Sequence, residues 1–177
     1  MSQELNFSEL PFRRLVLDRN SYLKVENTVD TNIYLVESGS VKVFFWDGGE
    51  EQIVRFGYKG NVLVALDSYL TGKPSALCIQ AIRKTTVRII SKAELLKAGK
   101  DLAFYHWWTA VLEDQVLQQM EREIDILTQS PRERYLRVLQ RSPRLFQEVP
   151  LRYIANYLRM SPETLSRLKN LDVDQAL

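Results

Sequence analysis

A group of polar side chains between residues 161 and 169 has the composition of a surface that contacts nucleic acid. Arginine can donate two hydrogen bonds to guanine O6 and N7, and glutamate can accept one from cytosine N4, so Arg167 and Glu163 suit base edges. Arg152 and Lys169 suit backbone phosphates. The sequence therefore predicts a DNA-binding surface formed by Arg152, Ser161, Glu163, Thr164, Ser166, Arg167 and Lys169.

Two short helices joined by a tight turn would position this surface. Residues 161–163 read Ser-Pro-Glu, which is typical of a helix start because serine caps, proline fits the first turn and glutamate favours the positive end. Ala155 is small enough to lie where two helices cross. This pattern predicts a helix-turn-helix, whose second helix enters the DNA major groove. The alternative is a helical hairpin with a purely structural role. The predicted inner faces carry Ile154, Leu158, Leu165 and Leu168.

Charge is distributed unevenly along the chain. The whole sequence has 24 basic and 22 acidic residues, a net charge of +2. Residues 130–170 contain nine basic and three acidic residues, so this stretch carries +6 and the rest carries −4. A basic segment on an acidic body favours a polyanionic partner. The alternative is a solvated helical surface.

The scarcity of cysteine and histidine argues against several enzyme classes. Cys78 is the single cysteine, which excludes an intrachain disulfide, an iron–sulfur cluster held by one chain and a multi-cysteine zinc site. His106 is the single histidine, which disfavours a Ser-His-Asp triad. We therefore expect no enzymatic activity, no metal and no cofactor, and we expect Cys78 to be buried and inert.

Residues 101–129 contain neither glycine nor proline and predict one long helix. At 1.5 Å per residue it would reach roughly 40 Å, which is longer than a small body can cover. We therefore predict that its apolar stripe packs on a second copy of the chain; the alternative is packing on its own chain. The aromatic run at 105–108 is expected to dock this helix on the N-terminal part, with haem ligation by His106 as the alternative. The stripe consists of Leu112, Val116, Met120, Ile124 and Leu127.

The first hundred residues contain all seven glycines and are expected to form a β-sandwich or barrel. The aromatic run at 44–46 is expected to fill the sandwich core and leave one ring exposed. A short helix is predicted at 91–97, where Ser91 and Glu94 have the spacing of a capping box. Strands are predicted at 32–36, 41–46, 51–56, 76–82 and 85–90.

Nearly the whole chain resembles the Crp/Fnr family of bacterial transcription regulators. The most specific match is Glu163-Thr164-Leu165-Ser166-Arg167, which is similar to the family's E-T-x-S-R recognition segment. The resemblance implies a cyclic-nucleotide-binding-like β-roll (a jelly roll), a long dimerisation helix and a C-terminal helix-turn-helix. It also implies that Glu163, Ser166 and Arg167 contact bases.

The segments that hold cyclic AMP in this family are altered here. The family carries a Gly-Glu pair, whose glutamate meets the ribose, and an Arg-Ser-Ala or Arg-Thr-Ala segment, whose arginine meets the phosphate. Val64-Ala65 stands at the first position and Pro74 replaces the arginine. Because charge-assisted hydrogen bonds contribute about 1.5–3 kcal/mol each, we expect no control by cyclic AMP. Lys73 could approach an anion, or be a solvated turn residue. The degenerate effector pocket would consist of Val64, Ala65, Tyr69, Pro74, Ser75 and Ala76.

Two further departures concern the helix-turn-helix. Arg159 occupies a turn position where the family often has glycine, and a positive φ there would add roughly 1 kcal/mol of strain. Seven residues follow Asn170 and include Asp172 and Asp174, so we expect no β-hairpin wing and a tail that mildly opposes DNA.

These observations predict an α+β fold with three parts: a β-roll sensor domain at 1–100, a dimerisation helix at 101–129 and a helix-turn-helix domain at 130–177. The predicted function is a cytoplasmic, homodimeric transcription regulator that reads an inverted repeat with its recognition helix at 161–170. Its predicted partners are double-stranded DNA, a second copy and an unknown effector or none; RNA polymerase is a further candidate, and no membrane is involved. The alternative is a ligand-binding or interaction module of the same fold that has lost DNA binding.

Overall fold

A computed structural model of the protein describes residues 12–98 and 102–174. The fold is α+β, as predicted, with the strands in the first half and the long helices in the second. The strands are β1 (Arg13–Leu17), β2 (Tyr22–Lys24), β3 (Ile33–Ser38), β4 (Ser40–Asp47), β5 (Glu50–Tyr58), β6 (Val62–Val64), β7 (Cys78–Ala81) and β8 (Thr85–Ile90). The helices are α1 (Leu66–Thr71), α2 (Lys92–Ala98), α3 (Leu102–Leu127), α4 (Pro131–Arg141), α5 (Leu145–Glu148), α6 (Leu151–Tyr157) and α7 (Pro162–Asp174).

The strands form two four-stranded antiparallel sheets, with the orders β1-β8-β3-β6 and β2-β7-β4-β5. Buried side chains from both sheets meet between them, among them Val36 and Val87 from the first sheet and Val41 and Ile79 from the second. Two antiparallel sheets packed in this way form a jelly roll, which is the predicted β-roll and is called the roll below. None of the helices in the described ranges is long and apolar enough to cross a membrane.

A second core lies outside the roll, between the β4-β5-β7 part of the second sheet and the C-terminal helices. Phe44 and Cys78 from the sheet are buried together with Ile154 and Leu165 from the helices. The expectation that Phe44 fills the sandwich core is therefore wrong. Side chains alternate between the two faces of a strand, so Phe44 faces the second core because Val41 and Val43 face the sandwich core. The expected exposed ring of that run is Trp46. Cys78 is buried as predicted, and burial raises the pKa of its thiol.

The sequence patterns do not predict four of the short elements in the described structure, which are β1, β2, β6 and α1. Strands of three to five residues are too short to show a reliable alternation, and β1 begins with two arginines. They complete the sheets that the longer strands begin, since β1 pairs with β8 and β6 pairs with β3.

The long helix α3 presents polar side chains to its own chain and apolar ones to solvent. Its buried residues include Gln115, Arg122 and Asp125. In contrast, Met120 is 54% exposed and Ile124 is 46% exposed. This is the reverse of the usual amphipathic arrangement, in which the apolar stripe faces the core. The alternative in which the stripe packs on its own chain is therefore wrong for this part of the helix.

Two of the aromatic residues at the start of α3 dock it on the roll, whereas Tyr105 is exposed. Trp107 and Trp108 pack against a cluster that contains Ile33, Tyr69 and Ile90. The Trp108 and Tyr69 rings lie 5.1 Å apart between centroids. His106 is exposed on the helix surface.

Candidate nucleic-acid interface

The turn between α6 and α7 has well-defined hydrogen bonding. The amide of Met160 donates to the Ala155 carbonyl, and the amide of Arg159 donates to the Asn156 carbonyl, each at 3.0 Å. These two bonds are those of a Schellman motif, which requires a left-handed residue at the position that Arg159 occupies. Arg159 accordingly has φ of 54°. The positive φ under which strain is expected at this residue is therefore present.

This geometry makes a substitution at Arg159 informative for stability. A glycine at a left-handed position avoids the Cβ penalty of roughly 1–2 kcal/mol. Part of this gain in stability is lost because glycine also makes the unfolded chain more flexible. We expect Arg159→Gly to exceed Arg159→Ala by about 1 kcal/mol in free energy of unfolding, measured by urea denaturation. Both variants lose the hydrogen bond from Arg159 to the Gln52 side chain, so the comparison isolates the backbone. Equal stability of the two variants would show that the turn is not strained.

A compact apolar core fixes α7 against α6. Ile154, Ala155, Leu158 and Leu165 are all completely buried. Leu168 is partly buried against the same cluster. The inner faces predicted from the sequence are therefore confirmed, and because Leu165 faces inward, the opposite side of α7 must face outward.

A side chain at the start of α7 caps its first turn. The Ser161 hydroxyl accepts a hydrogen bond from the Thr164 amide at 3.2 Å. Hydrogen bonds from its own backbone amide and from the Ser161 hydroxyl hold the pKa of the Glu163 carboxyl below its usual value. Glu163 is therefore an ionised acceptor at neutral pH, which is the state that can accept from cytosine N4.

The outward face of α7 is a continuous polar stripe. Glu163, Ser166, Arg167 and Asn170 are all exposed and line one shallow groove together with Pro162. Their spacing of three, four and seven residues places them on one side of a helix. We call these four residues the recognition stripe. Asn170 is not among the residues predicted from the sequence, although its spacing of seven from Glu163 could have placed it on this face.

Thr164 and Lys169 lie at the two edges of the recognition stripe. At 100° per residue each is roughly 110° from the stripe's centre, on opposite sides. Lys169 is exposed and Thr164 is partly buried. A cation at the edge of a base-reading face is well placed for a phosphate of the backbone.

Arg152 lies on α6 and is exposed. Its guanidinium stacks 4.6 Å from the centroid of the Tyr153 ring and donates to the Tyr153 hydroxyl at 2.9 Å. This contact is with a neighbouring side chain on the surface, so the charge is still open to an external anion.

Two carboxylates outside residues 130–170 compensate part of the +6 charge. Arg137 and Arg141 form ion pairs with Glu121 and Asp125 on α3. Arg144 is 3.8 Å from Glu148, which is already counted in the +6, and Arg134 donates to the neutral carbonyl of Arg159 at 3.3 Å. The charge asymmetry therefore overstates the electrostatic attraction available to DNA, because ion pairs hold part of this charge within the chain.

The six residues of the degenerate effector pocket lie along β6, α1 and the loop to β7. Ala65 and Ser75 are buried, whereas Pro74 and Ala76 are exposed and Val64 is half-buried. Tyr69 is buried, with the ammonium of Lys92 4.4 Å from its ring centroid. Lys73 is exposed.

The ammonium group of Lys24, on the nearby strand β2, is hydrogen-bonded to backbone carbonyls. The Lys24 ammonium donates to the carbonyls of Ser75 at 3.2 Å, Leu77 at 2.6 Å and Val25 at 3.0 Å. Burial lowers the pKa of this lysine. Lys24 therefore ties the loop to β2 and does not replace the missing arginine.

Comparison with known proteins identifies the architecture. No family model matches the sequence, and no curated protein matches it at a significant level. Among solved structures, FixK2 from Bradyrhizobium japonicum superimposes with a TM-score of 0.81 at 22% identity, over 94% of this chain and 87% of that one. The chain has the fold of the Crp/Fnr regulators. The fold implied by the sequence resemblance is thereby confirmed.

Two other solved structures agree with this assignment. A CooA mutant from Carboxydothermus hydrogenoformans matches with a TM-score of 0.73 at 20% identity, over 93% of this chain and 77% of that one. A transcriptional regulator of the CRP family from Thermus thermophilus matches with a TM-score of 0.68 at 18% identity, over 92% of this chain and 86% of that one. At these identities the similarity establishes a Crp/Fnr-type fold.

Proposed function

We propose that this chain is a homodimeric transcription regulator that binds an inverted DNA repeat and is not controlled by cyclic AMP. The observation that carries the proposal is the recognition stripe. Leu165 is completely buried on one side of α7, and Glu163, Ser166, Arg167 and Asn170 are exposed on the other. An exposed polar face on the second helix of a helix-turn-helix is what major-groove reading requires.

The arrangement of α3 supports the dimer. The exposed apolar residues Val116, Met120, Ile124 and Leu127 follow one face of this helix. A contiguous apolar stripe of this kind is rare on a monomer and is typical of a contact between proteins. The matching stripe of a second copy is the partner that the heptad-like spacing favours. A two-fold dimer would present two recognition stripes to a palindromic site.

Substitutions at Arg167 and Lys169 separate base reading from general attraction to DNA. Arg167→Ala should weaken binding to a selected duplex by about 1–3 kcal/mol and relax the preference for one guanine in each half-site. Lys169→Ala should weaken every duplex alike and reduce the slope of log affinity against log salt by about one. Fluorescence anisotropy on selected and scrambled duplexes across a salt series measures both effects.

The two variants form a matched pair because both remove an exposed cation from the same helix. If both lowered affinity equally on selected and scrambled duplexes, α7 would act as an electrostatic contact only. If wild type ignored DNA at about 50 mM salt, where such contacts are strong, the chain would be a ligand-binding or interaction module of this fold.

We expect no useful affinity for cyclic AMP or cyclic GMP. Ala65 has no group to meet the ribose, and Pro74 has none to meet the phosphate. Losing two charge-assisted bonds of about 1.5–3 kcal/mol each reduces affinity by at least a hundredfold. Titration calorimetry with each nucleotide is the check, and micromolar binding of either one would refute this part of the proposal.

A further inference from the structure

A cavity lies where the roll, the long helix and the helix-turn-helix domain meet. Its volume is about 350 Å³, within the range of small-molecule pockets. Strand β5 contributes Arg55, α3 contributes Arg122 and Gln118, and the C-terminal helices contribute Arg141 and Tyr157. None of the six residues of the degenerate effector pocket lines it.

Two of its arginines have no carboxylate partner within the described parts of the chain. Arg55 donates to the carbonyl of Gln115 at 3.3 Å, and Arg122 donates to the carbonyl of Ile53 at 3.3 Å. Neither takes part in an ion pair with another described residue. Burial lowers the pKa of both guanidinium groups, which means that the charge of each is poorly solvated.

Of the two arginines, Arg122 has the less complete set of hydrogen bonds. It is only 6% exposed, and its Nη1 is buried without a hydrogen-bond partner in the described structure. Its guanidinium lies 3.9 Å from the centroid of the Tyr157 ring, which stabilises the cation but leaves the N–H groups unsatisfied. A buried donor without an acceptor is unfavourable and rare in native proteins. A ligand that supplies an acceptor here would satisfy this donor.

No described carboxylate forms an ion pair with these two arginines, although the charge of Asp114 partly offsets the burial that lowers the pKa of Arg55. Glu121 is paired with Arg137 and Arg141, each at 3.0 Å. Asp114 accepts from the Gln118 amide at 2.6 Å. Arg141, the third arginine of the cavity, is paired with the buried carboxylate of Asp125. Arg55 and Arg122 therefore line the cavity without a direct carboxylate contact.

We propose that this cavity binds a small organic anion through a carboxylate or phosphate group held by Arg55 and Arg122. Guanidinium groups bind both kinds of oxyanion, and the amide of Gln118 adds a polar contact. A ligand here touches the roll, α3 and the DNA-binding part at once, so it stabilises their docked arrangement by mass action. The proposal concerns binding in the absence of DNA, and its failure leaves the DNA-binding proposal untouched.

The test is thermal unfolding of the full chain with inorganic phosphate, succinate and citrate as probes, at an ionic strength held constant with chloride. We expect at least one probe to raise Tm in a saturable way. Titration calorimetry should then show at least tenfold weaker binding of that probe to Arg55→Met and to Arg122→Met. The probe that responds distinguishes a phosphate site from a carboxylate site.

Two control variants distinguish this cavity from other basic surfaces. Arg13→Met makes the same chemical change at an exposed residue of β1, a strand of the other sheet. Arg167→Ala removes a cation from the recognition stripe. Both should bind the probe as wild type does. If Arg122→Met does not fold, Arg55→Met still decides the matter. The proposal is overturned if no probe raises Tm, or if Arg55→Met responds as strongly as wild type.

Discussion

Replacement of Asp125 by alanine should lower the free energy of unfolding by about 3 kcal/mol. The carboxylate of Asp125 is completely buried, 3.1 Å from Arg137 and 2.5 Å from Arg141. Removing one partner of a buried ion pair costs about 3–5 kcal/mol, because the remaining charge is left unpaired. We expect the lower end of this range because the side chains of Arg137 and Arg141 are 37% and 29% exposed and can be partly solvated. Urea unfolding followed by circular dichroism measures the difference.

Glu121→Ala provides the matched comparison. Glu121 pairs with the same two arginines at 3.0 Å, but its side chain is 43% exposed. Exposed pairs contribute about 1 kcal/mol or less, so this variant should be much less destabilised. Both variants must be compared at one protein concentration, because the unfolding of a dimer depends on it. Equal losses for the two variants would contradict the role given to burial of Asp125.

The double substitution Met120→Glu and Ile124→Glu should convert the protein from dimer to monomer. Both side chains lie on the exposed apolar stripe of α3. In a dimer packed through this stripe, each glutamate would be buried without a partner, which is strongly unfavourable. Light scattering at micromolar concentration should give twice 20.6 kDa for wild type and 20.6 kDa for the variant.

A second double variant controls for charge alone. Gln140→Glu with Gln147→Glu adds the same two negative charges on α4 and α5, away from the apolar stripe of α3. This variant should remain dimeric. A wild-type mass of 20.6 kDa, or a dimeric Met120→Glu and Ile124→Glu variant, would show that α3 is not the dimer interface.

The elements that the sequence predicts well are those with strong local signals. The long helix was expected from an uninterrupted stretch without glycine or proline, and it spans Leu102–Leu127. The start of α7 was expected from Ser161 and Pro162, and the side chain of Ser161 does cap it. Capping and periodicity depend on neighbours within a few residues, so they can be recognised without knowledge of the tertiary structure.

The features that were missed depend on contacts between distant parts of the chain. Asn156 accepts from the Ile53 amide at 2.9 Å and donates to the Glu51 carbonyl at 2.8 Å, and so covers the edge strand β5. These partners are more than 100 residues apart in sequence, and nothing around Asn156 indicates them. Likewise, Arg122 and Asp125 on α3 resemble solvated helix residues in the sequence, but they are buried in contacts with β5 and the C-terminal helices.

The docking of the C-terminal helices on the roll also explains why the charge pattern was misleading. Arg137 and Arg141 pair with Glu121 and Asp125 on α3, which offsets two positive charges of the basic segment, while Glu148 of that segment pairs with Arg83 on the roll at 2.8 Å. Sequence counting assigns all of these charges to the surface. Arg152, Arg167 and Lys169 are exposed on the helix-turn-helix, and these are the cations that the proposed interface uses.

The most direct test of the central proposal is the affinity of wild type for paired half-sites at two spacings. A half-site obtained by unbiased selection is placed as an inverted repeat, with centres one helical turn apart or with about five further base pairs inserted. A dimer with two recognition stripes should bind the first duplex at least tenfold more tightly, because the insertion rotates one half-site to the opposite side of the DNA. Both affinities should fall steeply with salt. Equal affinity for the two spacings, or no binding to either at about 50 mM salt, would contradict the proposal.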